Sequence, residues 1–429
     1  MWSWWDPGSR RQRVFSEEME CRWSLLLLLL LGSSALAKPG ARSGDEECQQ
    51  NVNCFLPDCL CASTENPGNL PLDQLPQFVV LTFDDAVTPT NYEFYLTFKD
   101  FLNPNYCRIS MTFFVTHLYN YYDMVNELHR LGHEIALHSV THKDDVDNYW
   151  RVANQSVWEH EMADLKTMLE TYARIPAEDI KGWRAPFLEV GGDEMFSAIT
   201  DLGLQYDCTW PTLHYTNWFD TEPLGALWPY TLDFPSIQDC QLGRCPTQIY
   251  EGTWVMPMVD LEDNTGQPCA MLDACNSLEN ELLVDPDAVE SFLRRNFEYN
   301  YNSTKAPFGL YVHHSWFYEG GNSTDARRVG YTRFLEYLSK LEDVYVVSVD
   351  RLLAWVKNPV PLDDIDSIDE FGCYEPESNC VDTKIFKFTT ENNLPVEVDA
   401  IYMGSCTLVQ PKYYPWIYNP LGDQNITDV

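Results

Sequence analysis

Short apolar runs alternate along the chain with longer amphipathic stretches. Phe78-Val79-Val80-Leu81-Thr82-Phe83 is apolar and partly β-branched, which predicts a fully buried strand. Ser110–Val115, Glu134–Leu137, Ile180–Arg184, Leu204–Tyr206, Phe308–Val312 and Val344–Ser348 predict further strands. Apolar positions recur at helical spacing over Tyr122–Leu131, where Gly132 supplies the stop, and over Gln155–Tyr172, Pro286–Tyr299 and Asp325–Lys340. Strand followed by helix, repeated, predicts parallel βα units, either closed as a barrel or open and doubly wound. Residues 207–283 show little periodicity and are expected to be irregular.

The ends read differently. Arg22, seven consecutive leucines (Leu25–Leu31) and Ala35-Leu36-Ala37 form the pattern of a secretory signal peptide over residues 1–37, with Met1 and Met19 as alternative starts. The leucine run is too short to span a bilayer, so no transmembrane segment is expected. Residues 38–75 are a Cys- and Pro-rich leader, 76–360 the expected catalytic domain, and 361–429 an acidic, Cys-containing tail.

Composition narrows the function. The 429 residues are 14% aromatic, enough for a large core, and carry 65 acidic against 28 basic side chains. A net charge of −37 repels phosphate backbones and excludes nucleic acid as a partner. Losing Cys21 with the signal leaves 13 of 14 cysteines, which in an exported chain are expected to pair and leave one over. Zinc held by Cys54, Cys59 and Cys61 is the alternative for the leader. Sequons at Asn154, Asn302, Asn322 and Asn425 mark expected glycosylation sites.

Candidate chemistry collects at predicted strand ends. Asp84-Asp85 follow the first strand, where adjacent carboxylates call for a compensating cation; a solvated turn is the plainer reading. His138 and His142, four apart after the third strand, can converge on one metal. Chance alone supplies about 0.2 such pairs, yet His129 and His133 form a second, which Gly132 divides. His133 is expected in the core or supporting a ligand, and His129 at the surface. Arg184 ends another strand and can hold a carboxylate ionised; His313 and His314 end the Phe308 strand, where one imidazole can serve as a general acid.

In order, Thr82-Phe83-Asp84-Asp85, His138-Ser-Val-Thr-His142, Arg184-Ala-Pro-Phe187 and His313 resemble the motifs of the polysaccharide deacetylases of carbohydrate esterase family 4 (NodB-like). Leu56-Pro57-Asp58-Cys59, Leu227-Trp228-Pro229-Tyr230-Thr231-Leu232-Asp233 and Pro307–His313 are similar to stretches of arthropod chitin deacetylases, and residues 48–360 share the resemblance. It implies an α/β fold, a distorted (β/α) barrel with disulfide-rich loops. It implies a divalent metal, usually Zn2+, held by Asp85, His138 and His142, with Asp84 as base, Arg184 tuning that base, the Phe187 N–H as oxyanion donor and His313 as acid. The implied substrate is chitin or chitooligosaccharides, and the implied protein a secreted monomer without a separate chitin-binding module, acting in a gut lining or another chitinous matrix.

Departures from the family pattern are Phe187 for Tyr and Tyr311 for Leu, the latter expected to line and narrow the acetyl pocket. Asp207 or Asp233 is expected to partner Arg184 or His313, and Trp228 and Trp316 either stack on sugar or lie in the core. Two other functions compete: an inert chitin-organising protein of the same fold, and a glycosidase using paired carboxylates.

Overall fold

The structure, a computed structural model, describes residues 47–212, 226–238, 240–275, 284–318 and 325–425. The signal peptide, both possible starts and Asn322 lie outside the described residues. Strand β1 (Gln77–Asp84) is buried along its whole length because it is central in the sheet and covered on both faces. Its C-terminal half pairs in parallel with β2 (Thr112–Val115), which pairs with β3 (Glu134–Leu137). The ladder continues through β4 (Gly182–Trp183) and β5 (Tyr206–Asp207). β6 (Tyr230–Leu232) pairs antiparallel with β7 (Tyr250–Val255), and β7 joins β5 in parallel. On its other edge β1 pairs with β8 (Phe308–His313), and its first residues pair with β9 (Val344–Val346).

Eight strands of this nine-stranded sheet run β8-β1-β2-β3-β4-β5-β7-β6, with β9 paired to β1 off that path, and among the described residues no ladder joins the two ends. It is the largely parallel α/β sheet of a distorted barrel, with β6 as its one antiparallel strand among the described residues. Helices α1 (Pro89–Tyr95), α2 (Tyr122–Arg130), α3 (Gln155–Tyr172), α4 (Asp193–Asp201), α5 (Pro286–Tyr301), α6 (Ala326–Leu338) and α7 (Val349–Lys357) intervene between or follow the strands.

Helix α3 matches its predicted span and begins on Asn154, whose side chain accepts from the Val157 N–H at 3.1 Å. Helix α2 ends before Gly132, whose φ of +90° the missing Cβ permits. β4 and β5 are shorter than their apolar runs predict. β6 and β7 fall inside the stretch expected to be irregular: they pair with each other, and β7 with β5, and such short pairings rest on tertiary context that local periodicity does not report.

Six disulfides join Cys48–Cys61, Cys54–Cys59, Cys107–Cys373, Cys240–Cys245, Cys269–Cys275 and Cys380–Cys406. The leader cysteines are therefore bonded to each other, which corrects the zinc alternative for Cys54, Cys59 and Cys61: thiolates are the metal ligands, and here none is free. The leftover thiol among the described residues is Cys208, which is buried. The tail folds back as a hairpin of β10 (Lys384–Thr389) and β11 (Ala400–Ser405). It is latched to the barrel by buried His117, whose ring bridges the Tyr122 hydroxyl and the Pro415 carbonyl, each at 2.7 Å. Asn154, Asn302 and Asn425 are all exposed.

Candidate active site

The candidate residues sit where parallel strands end, on the loops that carry chemistry in α/β barrels. Asp84 is the last residue of β1 and lies in register with His313, the last of β8. Asp85 turns away with φ +81°, a left-handed conformation uncommon outside glycine. Ser139 (φ +83°), His142 (φ +40°) and Phe187 (φ +59°) share that region. Such conformations persist where the surroundings hold them, and four of them on three loops mark a site built to a fixed geometry.

Asp84 is 3% exposed and Arg184 is fully buried. The guanidinium Nη1 donates to Asp84 Oδ1 at 2.6 Å and to Thr82 Oγ1 at 2.8 Å, while Nε donates to the Cys208 carbonyl at 2.7 Å and Nη2 to its thiol at 3.0 Å. Phe114 and Tyr311 present ring faces to the guanidinium at 4.0 and 5.2 Å. Burial pushes the Asp84 carboxyl up, but Arg184, His138 and His313 outweigh it and hold the group below the usual carboxylate range. Asp84 is thus an anion inside the protein, kept ionised by a cation with a fixed orientation.

Asp85, His138 and His142 each offer a ligand atom, and these lie within 4.8 Å of one another. The His138 Nδ1 meets the Arg184 carbonyl at 2.8 Å, which places the proton there and leaves Nε2 facing the carboxylates. Burial, opposed by the Asp84 charge, lowers His138 to about 4, so the ring is neutral at physiological pH, as a ligand must be. Two imidazoles and a carboxylate are a zinc-type donor set with a position left over. The residues fit a divalent metal.

His313 is half-buried, and both its N–H groups, backbone and Nδ1, meet Asp273 Oδ2 at 3.1 Å. Burial lowers its affinity for protons, but Asp273, followed by Asp84 and Asp85, raises its pKa to about 9. It is a protonated imidazolium at neutral pH. His314 packs against Tyr318 at 4.6 Å between ring centres, and burial drops it to about 4, so at neutral pH it is uncharged and not the imidazolium a general acid requires. The Phe187 ring lies 5.0 Å from that of His142, at the exposed rim.

Several expectations are corrected. The carboxylate on the His313 ring is Asp273 rather than the expected Asp207 or Asp233. Asp207 accepts from the Thr209 N–H and hydroxyl, and burial lifts its pKa to about 7 against the Arg184 charge, which Asp207 does feel and which lowers it. Asp233 accepts from the Gly252 N–H at 3.0 Å. Tyr311 is 1% exposed, with its hydroxyl on the Pro257 carbonyl, so it supports Arg184 from below rather than narrowing an open pocket. Trp228 and Trp316 are core: each is 1% exposed, the first against Trp355 and the second beneath the Arg327 guanidinium. His133 is buried and accepts from the Met111 N–H, and His129 pairs with Asp179 at 3.2 Å.

A family model of polysaccharide deacetylases matches residues 73–206, which span Asp84 through Arg184. Chitin deacetylase 8 of Bombyx mori is 39% identical over 409 residues, covering 94% of this chain and 99% of that protein. The chain belongs to the polysaccharide deacetylase family. The deacetylase is also 33% identical over 402 residues to chitin deacetylase 1 of Bombyx mori, across 86% of this chain and 68% of that one. Among solved structures it is similar to a putative polysaccharide deacetylase from Mycobacterium smegmatis, at 17% identity and a TM-score of 0.44 over 70% of this chain and 95% of that one. As a family member the deacetylase is a hydrolase acting on amide bonds. No described helix is long and apolar enough to cross a membrane.

Sequence reasoning missed Asp273, which lies between the paired cysteines 269 and 275. That short disulfide loop inside an irregular stretch was the available signal. It also missed Glu161, an acid on the buried face of α3 beside Trp158, Met162 and Leu165. A carboxylate in an apolar stripe is the signal there.

Proposed function

We propose that the protein is a secreted, divalent-metal-dependent chitin deacetylase, which hydrolyses N-acetylglucosamine units to glucosamine and acetate and so turns chitin into chitosan. The observation that carries this reading is the convergence of Asp85, His138 and His142 within 4.8 Å beside an ionised, buried Asp84. Zn2+ is the ion the donor set favours; bound there, it would polarise the amide carbonyl and acidify a water molecule. Similarity to two chitin deacetylases supports chitin as substrate. Six disulfides support secretion, because such bonds persist in oxidising compartments.

Each residue has one task. Asp84, ionised by Arg184, accepts a proton from the attacking water. The Phe187 N–H, on a loop held in the left-handed region, serves in this reading as the donor to the developing oxyanion. His313, protonated through Asp273, gives its proton to the departing sugar amine, which would otherwise be a very poor leaving group. Water and amide are consumed; acetate and amine are formed.

The test is mass spectrometry of N-acetylglucosamine oligomers incubated with Zn2+-loaded protein. Loss of acetyl groups at unchanged chain length, abolished by a chelator and restored by Zn2+, is the expected result. Shortened oligomers would indicate a glycosidase, and unchanged oligomers an inert scaffold.

Asp273→Asn tests the acid. A donor imidazolium is active below its pKa and fails as pH rises through it. Without the Asp273 charge His313 titrates lower, so the alkaline limb of kcat/KM should move down by about one to two pH units. An unmoved limb would remove His313 from this role.

A further inference from the structure

Glu161 is fully buried on α3, and three of the four hydrogen bonds it accepts come from the loop between the two candidate metal-ligand histidines. The backbone N–H groups of Val140 and Thr141 both donate to its Oε2, each at 2.9 Å. The Thr141 hydroxyl at 2.5 Å and the Tyr149 hydroxyl at 2.6 Å donate to Oε1. The next amide, His142 N–H, is taken by Ser139 Oγ at 3.0 Å, and on the far side Trp150 Nε1 donates to the Lys143 carbonyl at 2.8 Å.

Successive amides aimed at one point form an anion-binding concavity. Here its occupant is the protein's own carboxylate. The amides converge only because Ser139 has φ +83°, and His142 follows at φ +40°. Without an acceptor at this position, the buried Val140 N–H and the part-buried Thr141 N–H would lose their partner, and the loop would relax toward an ordinary conformation. That relaxation turns the His142 ring away from the point it shares with His138 and Asp85.

Resting on the metal-centre reading above, we propose that Glu161 is the positioning residue of the metal centre. It contacts neither metal nor substrate. It sets metal affinity by clamping the 138–142 loop in a strained conformation in which both imidazoles face Asp85. What matters is the placement of its acceptors rather than its charge.

That distinction fixes the variants. In Glu161→Gln the carbonyl can take both amides, and the side-chain NH2 can donate to the two hydroxyls, which turn round to accept. The clamp survives without the charge. Glu161→Asp keeps the charge but withdraws the acceptor by one methylene, and Glu161→Leu removes the acceptor altogether.

The experiment strips each intact protein of metal and titrates it with Zn2+ alone against a chromogenic chelator, with circular dichroism as the check on folding. E161Q should bind within a few-fold of wild type. E161D and E161L should each bind about 10–100-fold more weakly, the range typical for groups that orient metal ligands. If E161L does not fold, the E161Q and E161D pair decides. Wild-type affinity in E161D, or E161Q as weak as E161D, overturns the clamp while leaving the metal centre standing. Wild-type protein that takes up no Zn2+ overturns the metal centre and the clamp with it.

Discussion

The Asp84→Asn substitution is expected to slow acetate release by about 10²–10⁴-fold, the range typical for removing a general base. Metal uptake should be unaffected. The amide that replaces the carboxylate retains an oxygen that can accept from Arg184 Nη1, now 2.6 Å from Asp84 Oδ1, so the geometry is preserved while the proton acceptor is lost. The loss should appear in kcat, with KM nearly constant, because the base acts on water in the transition state and not on bound sugar. Acetate release, metal content by atomic emission and circular dichroism together check the result. A variant that keeps more than about a tenth of wild-type kcat would assign the proton transfer to another group.

Replacement of Arg184 by Met should have the largest effect on stability, about 3–5 kcal/mol, because it strands a charge that is 3% exposed. It also leaves the Thr82 hydroxyl and the Cys208 carbonyl without their donor. The pH dependence follows from Asp84. In the wild type its folded pKa lies below the unfolded value of 3.8. It therefore contributes stability that is present above that value and lost as pH falls through the folded pKa. With Arg184 gone, desolvation faces only His138 and His313, and the folded pKa rises above the unfolded one. The deficit is then full at neutral pH and shrinks as pH falls toward 4, where both states become protonated. Urea unfolding of metal-stripped wild type and variant at pH 7 and pH 5 should show this narrowing gap. A gap that widens on acidification would mean that Asp84 is not the group Arg184 compensates.

Much of the reaction centre was legible because its residues fall in short motifs at the ends of strands. The Phe78–Phe83 run locates β1, so Asp84 and Asp85 follow at its exit. The Glu134–Leu137 run similarly places His138 and His142 on the loop after β3. The family resemblance then assigned roles that residue type alone left open between a metal site and a solvated turn.

Aromatic residues were harder to place. Trp228 lies in a stretch similar to chitin deacetylases, yet its ring is packed against Trp355, because residue type does not report whether a face points to solvent. Tyr311 stood at a position expected to narrow the pocket. In the folded chain its ring lies against the Arg184 guanidinium and its hydroxyl meets the Pro257 carbonyl, a burial that residue type alone does not report.

From sequence by itself came the βα alternation, the strand-end aspartates, histidines and arginine, the expectation that all but one exported cysteine pairs, and the excess of acid. These are local or compositional properties, written in apolar period and residue type within a few positions. Tertiary structure alone decided that Asp273, 40 residues away, charges His313. It alone decided that Cys208 lies under Arg184 and that Glu161 grips the histidine loop. Such contacts depend on how loops of different lengths return to one end of the sheet, and no periodicity in the chain encodes that.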